Sequence, residues 1–142
     1  MAEQREWKVG DSTLRFEPPD LVLVHTRGQA TLEDAVSMVD IYRELGQQRP
    51  FFLVADLSEA TTLDVEGGHH LSLHVRPEWI LGTFYIGARL LHRALTKGIA
   101  LAAHLSGRAD ASVLNKVHFV ASEAEARELI ARMRAKRLGK VA

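Results

Sequence analysis

Apolar and polar positions come in blocks along the chain, and each block has the length and period of one element. Leu14-Arg15-Phe16-Glu17, then Pro18-Pro19-Asp20, then Leu21-Val22-Leu23-Val24-His25-Thr26 predicts two strands joined by a proline turn. So short a connection pairs them antiparallel. Gly28 breaks the second strand, and Thr31 with Asp34 three residues on predicts a capped helix start. Leu32, Ala35, Val36, Val39 and Tyr42 then recur at helical spacing, with the helix expected to end near Gly46. Phe51-Phe52-Leu53-Val54-Ala55 is uniformly apolar, the pattern of a central strand covered on both faces.

Gly67 to Val75 predicts a short helix that stops near Arg76, because Pro77 disfavours helical geometry in the residue before it. Gly82 to Gly87 reads as a strand between glycines, and Ala88 to Leu105 as a long helix. The stretch Gly98-Ile99-Ala100-Leu101-Ala102-Ala103 in that helix is apolar nearly all round, which suits cover by a second copy of the chain in a homodimer, cover by a lipid-like ligand, or a well-buried helix end. Val117 to Val120 predicts a last strand. Ser122 with Glu125 forms a capping box that opens a helix turning Ala126, Leu129, Ile130 and Met133 inward. The alternation predicts an α/β fold, a mixed and mostly parallel sheet of about five strands with about four helices. The chain is read as one domain over 1–142, with its core from about residue 14 to residue 138.

Composition narrows the function classes. Hydrophobic residues at 46% and charged ones at 25% describe a globular chain rather than a disordered polyelectrolyte. Eighteen basic side chains balance eighteen acidic ones, so no overall field recruits nucleic acid. The absence of cysteine removes disulfides, thiol nucleophiles and thiolate metal sites together. The opening residues MAEQREWKVGD lack the apolar core of a secretory signal, so a cytoplasmic location is expected.

Several motifs together resemble the STAS domain family, the SpoIIAA-like group named for sulfate transporters and bacterial anti-anti-sigma factors. Asp56-Leu57-Ser58 closes a strand and is followed, eight residues after Asp56, by Asp64-Val65-Glu66-Gly67. Val24-His25-Thr26-Arg27-Gly28 with Thr31 resembles the family's strand, glycine loop and first helix, and Val117 to Ile130 its last strand and helix. The resemblance implies a SpoIIAA-like fold and a regulatory role through protein docking. It also implies a partner surface formed by Ser58, Thr61, Thr62, Asp64, Val65, Glu66 and Gly67, in a loop and the helix it opens. Val65 stands where the family carries its phosphorylated serine, and Glu66 where it carries the second one. A valine accepts no phosphate, so the family's phosphoserine switch is not expected. Glu66 reads either as a fixed mimic of the phosphorylated state or as an ordinary acidic residue of a first helical turn.

Other constellations point elsewhere. Related Sec14-like carriers hold acyl ligands beside a βαβ core, which makes a pocket between Trp79, Phe84, Leu90 and Ile99 the basis of an alternative, a carrier or sensor of a lipid-like ligand. His70 and His74 stand four apart on one helical face with Glu66 a turn earlier, a weak zinc pattern without the Glu base of a metalloprotease motif. Five cations between Arg132 and Lys140 suit either peripheral contact with anionic lipid or a solvated helix end. No Gly-x-Ser-x-Gly elbow and no phosphate-binding glycine loop occurs, so neither enzyme chemistry nor a cofactor is expected.

Overall fold

The computed structural model describes residues 4–29, 31–62, 65–87 and 117–141. Six strands form one sheet in sequence order: β1 (Arg5–Val9), β2 (Ser12–Glu17), β3 (Leu21–Gln29), β4 (Phe51–Thr62), β5 (Ile80–Ile86) and β6 (Val117–Val120). β1, β2 and β3 pair antiparallel, and β3 through β6 pair parallel. The helices are α1 (Leu32–Gln48), α2 (Val65–His74) and α3 (Glu123–Val141), with a 3-10 turn at Pro77–Trp79. The α/β class and the mixed sheet match the sequence pattern. The strand number does not: the described residues hold six strands where about five were expected. Among the described residues there are three α-helices against about four expected, and the long helix over Ala88 to Leu105 falls outside those residues.

The added strand is β1, whose Arg5-Glu6-Trp7-Lys8-Val9 buries little beyond Val9 and so lacks an apolar pattern. It is made by its turn. Gly10 takes φ +60° between Val9 and Ser12, which pair, and a glycine with positive φ at the first of two central residues is the signature of a type II′ hairpin.

The sheet is buried on both faces, as its central run predicts. On one face, Val22, Val24, Phe51, Leu53 and Tyr85 pack with Met38, Ile41, Tyr42 and Leu45 of α1, and Leu71 of α2 joins them. On the other, Leu21, Leu23, Phe52, Val54 and Phe84 pack with Ala126 and Ile130 of α3. Both expected caps are present. Thr31 and Asp34 exchange side-chain and backbone bonds, and Ser122 Oγ accepts from the Glu125 amide while the Glu125 carboxylate accepts from the Ala121 amide at 2.9 Å.

Gly46 does not end α1, which continues to Gln48. A Cβ at this position would lie 2.4 Å from Cγ of the buried Trp79, so the glycine is the notch that lets the indole sit against the helix. Close approach, rather than a helix stop, selects the residue.

Two cross-face ion pairs hold α3 down. Arg127 grips Glu17 of β2 bidentately, at 2.8 and 2.9 Å, and Arg134 pairs with Asp20 in the β2–β3 turn. The hydrogen bonds from Arg127 hold the Glu17 carboxyl below its ordinary value of 4.5, against the opposing effect of burial. A carboxylate whose folded value is depressed stabilises the fold above its unfolded value and loses that contribution as pH falls through the folded one. Arg127→Ala is therefore expected to cost about 1 kcal/mol near neutral pH, the scale of a partly exposed bidentate pair. The difference from the parent should be smaller in acid, below 4.5, than at neutral pH. Urea unfolding of both proteins at neutral pH and in acid measures it, and a difference undiminished in acid would show that Arg127 acts through packing instead.

Candidate functional site

β3, β4 and β6 each lead directly toward a helix, to α1, α2 and α3 in turn, so the carboxyl ends of the parallel strands and the starts of these three helices share one edge of the domain. Ligands of open α/β sheets bind outside such an edge.

The stretch expected to present a partner begins within the sheet. β4 does not stop at Asp56-Leu57-Ser58 but runs on to Thr62, so Ser58, Thr61 and Thr62 are strand residues and not a loop. The cause lies in β3. Its register shifts after His25 and again after Gly28, which lets Arg27, Gly28 and Gln29 pair with Glu59, Ala60 and Thr62. Ser58 is exposed and tied down: Asp56 Oδ1 accepts from its amide at 2.9 Å and from its hydroxyl at 2.6 Å. Gly87 at the end of β5 passes so close that a Cβ there would lie 2.8 Å from the Ser58 nitrogen. Asp64 lies outside the described residues. Val65 opens α2, Glu66 is exposed in its first turn, and Gly67 is buried, which corrects the expectation that the whole segment faces outward.

Beside this segment, on the same face and edge, α1 exposes two large apolar side chains. Leu32 and Val36 are 38% and 41% exposed and stand one turn apart on a single stripe. Nothing in the helical period distinguishes them from core positions, because Leu32 and Val36 fit the same spacing as the buried Ala35, Val39 and Tyr42.

The expected apolar pocket is not formed as predicted. Trp79 belongs to the core on the α1 face and Phe84 to the core on the α3 face, so the sheet separates them. The inference failed because sequence spacing does not reveal which side of β5 a residue faces when the neighbouring turn folds back over α1. Leu90 and Ile99 lie outside the described residues.

His70 and His74 do meet, with ring centroids 4.3 Å apart, but no three His, Cys, Asp or Glu residues among those described are grouped to hold a metal ion. In the basic tail, Arg132 pairs with Glu128 on the exposed side of α3 and Arg134 with Asp20 of the β2–β3 turn, so part of that charge already has a partner in the domain. No helix among the described residues is long and apolar enough to cross a membrane.

On the α3 face, the strand pairing assembles a cavity that the sequence pattern did not reveal. One row of partners crosses the sheet as Glu6, Arg15, Leu23, Val54, and the next as Thr13, His25, Asp56, Ile86. Together with Val24 and with Glu123 from the start of α3, these eight residues line a half-open cavity of about 200 Å³. Its floor is apolar and its rim is charged. His25 Nε2 lies 2.7 Å from the Glu59 carboxylate, a contact out of line for a hydrogen bond, and the same carboxylate pairs with Arg27 at 3.0 Å. The only sequence signal was a set of polar residues at inward positions of strands, Arg15 and His25 among them, and it becomes a cluster only once the register is known.

Burial pushes the phenols of Tyr42 and Tyr85 well up, so both stay protonated, and the remaining shifts belong to the Glu17–Arg127 pair that anchors α3. Compared with known proteins, the chain matches no protein-family model, and no curated protein matches it significantly.

Proposed function

We propose that this chain is a non-enzymatic binding or regulatory module of the STAS (SpoIIAA-like) type, which docks a protein partner and does so without a phosphoserine switch. The observation that carries the reading is the exposed pair Leu32 and Val36 on the first turns of α1, at the edge where Glu66 opens α2. An apolar centre flanked by Glu33 and Glu66 suits a partner with an apolar anchor and a basic rim. The residues behind the resemblance support the type. A capped α1 follows β3, Asp56 and Ser58 are locked together on β4, and α2 opens at Val65 where the family has its serine. Glu66 supplies a standing charge in a first helical turn, where unpaired backbone amides favour an anion.

The double variant Leu32→Asp, Val36→Asp alters two exposed positions, so stability should change by only about 0.5 kcal/mol. A photo-crosslinker at position 36 should join the parent chain to a protein in native extract, and the double variant should abolish recovery of that protein. Undiminished recovery from the folded double variant would sink the proposal.

A further inference from the structure

We propose that the cavity on the α3 face binds a small zwitterion of amino-acid size, its carboxylate on Arg15 of β2 and its ammonium on Asp56 of β4. The proposal concerns the opposite face from the docking surface and does not depend on it.

The charges around the cavity are unequally satisfied. Glu123 is engaged by Arg127, and Glu59 by Arg27 and His25. Glu6 has no ion pair among the described residues, and Asp56 is met by Ser58, a neutral partner. Arg15 is short of an acceptor. Its Nη2 reaches Glu17 at 3.3 Å, but Arg127 already holds that carboxylate bidentately at 2.8 and 2.9 Å, and the buried Arg15 Nε has no hydrogen-bond partner. A buried donor left unpaired is costly, and a planar guanidinium fork is best completed by a carboxylate. Arg15 on β2 therefore asks for an anionic acceptor, and Asp56, two strands away on β4, for a cationic donor.

Size and floor narrow the class. About 200 Å³ accommodates on the order of ten non-hydrogen atoms, and Leu23, Val54 and Ile86 give a short hydrocarbon something to rest on. An acyl chain is too long for that space. A bare metal ion fits poorly, since no three ligating side chains are grouped there among the described residues.

The test is calorimetry on the whole chain with L-alanine, L-valine and L-leucine, each beside its decarboxylated amine and its deaminated acid. At least one amino acid should bind, with both matched analogues at least about tenfold weaker. Arg15→Gln and Asp56→Asn should each weaken binding about tenfold to a hundredfold. Thr13→Trp, which fills the cavity from a half-buried position, should abolish binding in a protein with unchanged circular dichroism. Leu32→Asp with Val36→Asp should leave it intact. Absence of binding by all three amino acids, equal binding by an amine or an acid, or binding that survives Thr13→Trp would each overturn the proposal.

Discussion

Phe52→Ala is expected to destabilise the fold by about 3–5 kcal/mol, a large share of the roughly 5–15 kcal/mol that holds a domain of this size together. The side chain is fully buried in the α3-face core. Its ring lies 6.5 Å from that of Phe84, beneath the Arg134 guanidinium at 5.8 Å, and beside Gly82, its partner on β5. A Cβ at Gly82 would meet Phe84, Phe52 and Met133 at 3.4 to 3.6 Å, so the ring fills space that the glycine leaves open. Deleting it removes transfer energy and opens a void that neighbours on a sheet cannot close. The adjacent Phe51 points into the other core and is as deeply buried. Phe51→Ala should therefore cost a similar amount. Urea unfolding followed by circular dichroism measures both, with a lowered midpoint and an unchanged slope. Losses under about 1 kcal/mol at Phe52 alone would mean that α3 does not cover this face.

That pair of substitutions tests what was most legible in the sequence. Five apolar residues in a row, with no alternation, announced a strand with helices on both sides, because a half-solvated strand cannot afford apolar side chains at every position. Thr31 with Asp34 and Ser122 with Glu125 announced helix starts through bonds formed within one turn, which depend on nothing distant. What could not be seen depended on distant partners. Ser58 to Thr62 is polar and reads as a loop, yet it is strand because β3 bulges and follows it. Gly46 reads as a helix stop, yet it is helical because Trp79 packs on it from thirty-odd residues away. The cavity lay furthest from view. Glu6, Arg15, His25 and Asp56 come from four strands, and only the pairing register puts them on one face. Local chemistry marks caps and turns; a site built across strands is written in the register.

Gly87→Ala should cost about 2–4 kcal/mol, and Gly28→Ala only about 1–2 kcal/mol, although the two glycines share nearly the same backbone conformation. Gly87 has φ +71° and Gly28 φ +62°, and any side chain in this left-handed region meets the following carbonyl. That strain is common to both. The space around them is not: a Cβ at Gly28 finds Asp11 at 3.7 Å, an ordinary contact, whereas one at Gly87 lies 2.8 and 2.9 Å from the nitrogen and Cα of Ser58. Ser58 cannot yield cheaply, because its amide and hydroxyl are both bound to Asp56 and its strand is paired with β3. The excess cost at Gly87 over Gly28 thus isolates the close passage of β5 past β4 at the carboxyl edge of the sheet. Loosening it should also disturb Asp56, which lines the cavity, so Gly87→Ala should shift the Asp56 and Ser58 amide resonances in nuclear magnetic resonance spectra while Gly28→Ala leaves them in place. Equal costs for the two variants, or no movement at Asp56, would mean that the chain leaving β5 does not press on Ser58.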